Sequence, residues 1–141
     1  METRLRVAVI TGTRERPAPE QLTQLRKVVG SADYAILGDC PTGIDKLARE
    51  LCDELGVAYS LHICDWDNES GPQRNARMVA QGVRLKGEGH DARCFAFPSR
   101  NSKGTRNCIR LAREAGLVTR VYNSRRSRLP APPGDEQGPT R

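Results

Sequence analysis

The chain has 141 residues, 37% of them hydrophobic and 4% aromatic, with a formal net charge of +6. That length bounds it to one domain whose core is mainly Val, Leu, Ile and Ala, and no apolar run reaches the length of a membrane span or a signal sequence. The five cysteines (Cys40, Cys52, Cys64, Cys94 and Cys108) are odd in number and form no Cys-x-x-Cys, which argues against a disulfide framework or a zinc ribbon and points to reduced thiols in a cytoplasm.

The predicted elements alternate along the chain. "RLRVAVI" (4–10) is apolar and β-branched, a buried strand. "PEQLTQLRKVVG" (19–30) spaces Leu22, Leu25, Val28 and Val29 as a helix face and stops at Gly30. "YAILG" (34–38) is a second strand. "TGIDKLARELCDELG" (42–56) opens with Thr42 and Asp45 as a capping box, carries Ile44, Leu47, Ala48, Leu51 and Leu55 on one stripe, and closes at Gly56. "VAYSLHI" (57–63) is a third strand, and a third helix runs from Gly71 to about Leu85. "ARCFAF" (92–97), "TRNCIRLAREAG" (105–116, capped by Thr105) and "LVTRVY" (117–122) give a fourth strand, a fourth helix and a fifth strand. Strands alternating with helices of this length make βαβ units, hence a parallel sheet with helices on both faces. From Asn123 the composition turns to Arg, Ser, Pro and Gly, so 1–123 is the domain and 124–141 a disordered, solvated tail.

In such a sheet the ligand crevice lies outside the carboxyl ends of the strands. The small and polar residues gather there, in "TGTR" (11–14), "GDCPTGID" (38–45), "CDWDNESGPQRN" (64–75) and "FPSRNSKGT" (97–105). Glycine at a helix start bares amide N–H groups to an anion, and Gly43 and Gly104-Thr105 are placed for that. Neither a Walker sequence nor a G-x-G-x-x-G follows the first strand. Arg14 and Arg74 have the fork for phosphate or carboxylate, and Trp66 is a surface for stacking a ring, each against the plainer alternative of a salt bridge or ordinary packing. In the third helix Ser70 and Gln73 form a capping box with Pro72 in the first turn. Arg74 then sets a cation against the helix dipole, which points to an incoming anion or to an acidic neighbour such as Asp67 or Glu69. His62 and His90 lie far apart, so neither a metal site nor a resident cofactor is expected.

Taken together, "TGTR", "GDCPTGIDKLA", the "DW" of 65 and 66, "GPQRNARMV" and "AFPSRNSKGT" resemble the SLOG superfamily (the DprA/LOG group), most closely its YspA-like branch, over roughly residues 5 to 122. The resemblance implies a Rossmann-like, open, mainly parallel five-stranded sheet that binds a nucleotide-derived ligand along this edge. It implies ligand-binding roles for Gly12, Thr13, Arg14, Gly38, Gly43, Asp45, Trp66, Gly71, Arg74, Asn75, Pro98, Gly104 and Thr105. Arg74 and Met78 fit the Arg-x-x-x-Met pattern of LOG-type phosphoribohydrolases, where the arginine serves the nucleotide and its bond cleavage. The departures lie in the next loop. LOG-type chains read Pro-Gly-Gly-x-Gly-Thr-x-x-Glu; here Pro98 is followed by Ser99 and Arg100, and Cys108 stands at the glutamate position. A carboxylate there is worth several kcal/mol in splitting an N-glycosidic bond. Cys108 replaces it only with a lowered pKa, which leaves Asp45, Asp67 or Glu69 to supply one from another loop.

Three functions follow. The first is a cytoplasmic module that senses or sequesters a nucleotide-derived ligand (an ADP-ribose-like, NAD-derived or cyclic nucleotide), of the kind used in bacterial or phage defence signalling, paired as a homodimer. The second is a LOG-like nucleotide hydrolase using Arg74, and the third a DNA-binding protein, which the positive charge suits and the scarcity of interleaved aromatics disfavours.

Overall fold

A computed structural model describes residues 3–124. Its elements run β1 (Arg6–Gly12), α1 (Pro19–Ser31), β2 (Tyr34–Gly38), α2 (Gly43–Leu55), β3 (Ala58–His62), α3 (Gly71–Gly87), β4 (Asp91–Phe97), α4 (Lys103–Glu114) and β5 (Val118–Val121). All neighbouring strands are parallel, in the order β3-β2-β1-β4-β5. This is an open Rossmann-like sheet.

The run Val7, Ala8, Val9, Ile10 explains why β1 lies at its centre. Alternate side chains point to opposite faces, and all four are buried. Ala8 and Ile10 pack with Leu25, Val28 and Val29 of α1 and with Ile44, Ala48 and Cys52 of α2. Val7 and Val9 pack on the other face with Met78 and Val79 of α3 and Cys108 and Ala112 of α4. The chain steps from β1 outward to β2 and β3, then returns through α3 to β4 on the far side of β1. Strand order therefore reverses between β1 and β4, and a crevice opens at their carboxyl ends.

Several local expectations are corrected. On α1 the inward position belongs to Gln21, 1% exposed, while Leu22 is 38% exposed; the buried spacing is 21, 25, 28 and 29. The helix also runs through Gly30 to Ser31. Thr42 does not cap α2 by its side chain; its hydroxyl donates to the Arg14 carbonyl at 2.8 Å, and Asp45 accepts from Cys40 N–H instead. α4 begins two residues early, with Ser102 at the N-cap and Thr105 buried in the first turn. β3 is an edge strand with Leu61 exposed. The expected disordered tail lies outside the described residues apart from Ser124.

Gln21 ties three elements together. Its Nε2 donates to the carbonyls of Pro98 and Tyr122, each at 2.8 Å, and its Oε1 accepts from Ala18 N–H at 3.0 Å. Gln21→Leu keeps the volume and strands these groups, so it is expected to destabilise the fold by about 2–4 kcal/mol. Urea unfolding checks this; a change under about 0.5 kcal/mol, the range of an ordinary surface substitution, contradicts it.

Candidate functional site

A cleft of about 460 Å³ opens at the reversal point, walled by the loops after β1, β2, β3 and β4 and by the first turns of α3 and α4. Gly12, Thr13, Arg14, Asp45, Trp66, Gly71, Arg74, Asn75, Gly104 and Thr105 all line it, as does Cys40. Gly38, Gly43 and Pro98 do not. A Cβ on Gly38 would lie 2.5 Å from Arg74 Nη1 and 2.7 Å from Asp45 Oδ2, so its bare backbone leaves room for both side chains. Gly43 has φ +69°, and a Cβ there would lie 2.1 Å from the Thr13 carbonyl, which accepts from Ile44 N–H at 2.9 Å. It sets the β1 loop on the start of α2. Pro98 turns its carbonyl away to Gln21.

Arg74 answers to an acid that sequence reading missed. Its Nη1 donates to Asp39 Oδ1 at 2.8 Å and its Nε to Asn75 Oδ1 at 3.2 Å, with side-chain exposures of 11% for Arg74 and 21% for Asp39. Asp39 Oδ2 accepts from Cys64 N–H at 3.1 Å. Asn75 Nδ2 donates onward to the Gly104 carbonyl at 3.1 Å and to Asn107 Oδ1 at 3.2 Å. One network thus joins the ends of β2 and β3 to the first turns of α3 and α4. Of the two acidic neighbours offered as alternatives for Arg74, Glu69 is bound to Arg77 at 2.7 Å, a hydrogen bond that holds its carboxyl below the usual range, and Asp67 is exposed. The Ser70–Gln73 capping box is present, with bonds of 2.7 and 3.2 Å.

α4 presents a different start. The Ser102 hydroxyl does not cap the helix; it accepts from Ser99 N–H at 2.8 Å and meets Ser99 Oγ at 2.9 Å, and Thr13 Oγ1 donates to Ser99 Oγ at 3.0 Å. The Gly104 and Thr105 amides are left at the cleft wall without a side-chain cap, and the positive end of the helix dipole faces the space. Lys103 and Arg14 add charge at the rim, where Arg14 lies over Trp66, 5.8 Å from its ring centroid. Trp66 is 61% exposed, at the rim of the cleft rather than in the core.

Among these donors stands one buried acid. Asp45 is 6% exposed; its Oδ2 accepts from Cys40 N–H at 3.1 Å. Burial pushes its carboxyl up, opposed by that amide and by the Arg74 and Arg14 cations. Cys108 is fully buried and is not among the cleft-lining residues. A hydrogen bond between Cys94 and Cys108 pulls Cys108 down and Cys94 up, but the pair lies in the core between β4 and α4. Among the described residues no group of three or more His, Cys, Asp or Glu side chains is placed to hold a metal ion. A second hollow, of about 380 Å³, lies between α1 and β4, where the charges Arg6, Asp91 and Arg93 are in salt bridges.

Because Arg74 is paired and largely buried, its removal is expected to cost stability. Arg74→Ala and Asp39→Ala should each destabilise the fold by about 2–4 kcal/mol, with a coupling of about 1–2 kcal/mol in a double-mutant cycle. Arg74→Lys should recover part of it. Additive losses in denaturant unfolding would show that the pair does not organise the loops.

No family model matches the chain, and no solved structure matches it. A segment of 66 residues is 38% identical to the Gene 61 protein of Mycobacterium phage D29. The match covers 45% of this chain and 46% of that protein, so the chain spans a little under half of the relative's length.

Proposed function

We propose that this chain is a SLOG-type, YspA-like module that binds a nucleotide-derived anion in the cleft, with α4's first turn as its phosphate seat. The observation that carries the reading is the start of α4, uncapped and aimed into a cleft that Arg14 and Lys103 flank. Trp66 at the rim offers a face for a base. The side chains of Thr13 and Asn75 are taken up in bonds within the protein, so they shape the cleft more than they grip the ligand. Arg74 has its Nη1 and Nε engaged, and among the described residues no hydrogen bond reaches its Nη2, which suits an anion.

Binding is favoured over LOG-like hydrolysis because the residue at the glutamate position, Cys108, is buried outside the cleft. A cytoplasmic setting belongs to the same proposal and fits the five free thiols. So does a homodimer, for which the outer face of β4 and β5, with Val118 56% exposed, is the candidate surface.

Calorimetry with ADP-ribose tests the proposal. Arg14→Ala is expected to weaken binding by about 1.5–3 kcal/mol and Trp66→Ala by about 1–3 kcal/mol. Both should leave the melting temperature within a few degrees of wild type, since neither side chain is in the core. Equal affinity in wild type and both variants overturns the assignment of this cleft.

A further inference from the structure

Every cleft donor described above suits an anion. Asp45 does not. It is a buried carboxylate that lines the same space, and among the described residues no cation lies within salt-bridge distance of it. Its Oδ2 is occupied by the Cys40 amide, and among the described residues no hydrogen bond reaches its Oδ1. An acceptor set among donors asks for a ligand that carries O–H groups beside its anionic ones.

In parallel sheets of this kind, an acid at the end of β2 often takes the ribose hydroxyls of a bound nucleotide. Here that place is held by Asp39, but both its oxygens are engaged, by Arg74 and by Cys64 N–H. Two carboxylates line the cleft, Glu15 and Asp45; Glu15 is exposed, and Asp45, at the third position of α2, is the buried one, with an oxygen that no hydrogen bond reaches among the described residues. Gly38 makes this arrangement possible, because its missing side chain leaves the space in which Asp45 and Arg74 lie side by side.

We infer that Asp45 is the sugar-recognising residue of the site, accepting a hydrogen bond from a ribose hydroxyl, so that the ligand is a ribonucleotide and its deoxy counterpart is rejected. The inference rests on the nucleotide reading and adds the sugar class to it. The rejection follows from burial: without the hydroxyl, Oδ1 stays desolvated and unpaired.

The test is calorimetry of the full chain with ADP-ribose and with AMP, GMP, CMP and UMP, the four monophosphates each beside their 2′-deoxy and 3′-deoxy forms. Wild type is expected to bind at least one of the monophosphates, and to bind it about tenfold or more tightly than its 2′-deoxy or its 3′-deoxy form, the factor for a hydrogen bond to a charged group. In Asp45→Asn, which keeps the shape and an oxygen for the Cys40 amide, that preference should fall to about threefold or less, the worth of a neutral hydrogen bond. Ligand-free melts of the variant establish that it is folded. If ribo and deoxy forms bind wild type equally, or if Asp45→Asn keeps the full preference, the sugar assignment fails while the nucleotide reading stands. If ADP-ribose alone binds, the nucleotide reading stands and the monophosphate arm goes against the sugar assignment. If no ribonucleotide in the set binds, the nucleotide reading itself fails.

Discussion

The Asp39–Arg74 pair is the contact on which the cleft depends. α3 is the crossover that carries the chain from edge strand β3 back across the sheet to β4. Its first turn must sit at a fixed place relative to the ends of β2 and β3, or the loops that wall the cleft have no common frame. Asp39 supplies that frame by holding Arg74 with one oxygen and the Cys64 amide with the other. A cation in a helix's first turn is disfavoured by the dipole, and a carboxylate 2.8 Å away in a largely buried setting outweighs that by several-fold. Through Asn75 the same frame reaches the Gly104 carbonyl, so the first turn of α4 is positioned by a residue at the end of β2.

Rigid backing and an unsatisfied front divide the labour among the polar groups. Thr13, Ser99, Ser102 and Asn75 hydrogen-bond mainly to one another or to neighbouring protein atoms and make the walls stiff. The Gly104–Thr105 turn, Arg14, Trp66 and Asp45 line the space, and among the described residues no hydrogen bond reaches one of the Asp45 oxygens. A site built this way loses little side-chain entropy on binding, because the groups behind it are already ordered.

Much of this was legible in the sequence. The alternation of β-branched runs with helical stripes fixes the parallel sheet, and glycine, hydroxyl and arginine at four strand ends mark the edge where the cleft opens. What escaped were choices between equally good local signals. Thr105 has the side chain of an N-cap residue, but the structure places it inside the first turn and starts α4 after Ser102, whose hydroxyl is tied to Ser99 in the loop after β4. Leu22 looks like a core residue, but the carbonyls of Pro98 and Tyr122, far along the chain, need a donor and bring Gln21 inward instead. Asp39 lies 35 residues before Arg74, and no periodicity connects them; only the crossover topology makes them neighbours. Gly43 reads as a bare helix start for an anion, and the structure shows in addition that the Thr13 carbonyl packs against it and that Gly38 leaves room for Arg74 and Asp45, close contacts that no local signal announces.

The central claim is that an anion sits on the uncapped start of α4. Amide chemical shifts of the uniformly labelled chain, followed through a titration with ADP-ribose, test it most directly. Saturable shifts are expected at the Gly104 and Thr105 amides together with the Trp66 indole, while Gly56 and Gly89, in the turns that lead into the amino ends of β3 and β4 at the opposite edge of the sheet, stay still. Amides of α4 that do not move when ADP-ribose saturates, or shifts confined to the hollow between α1 and β4, would contradict it.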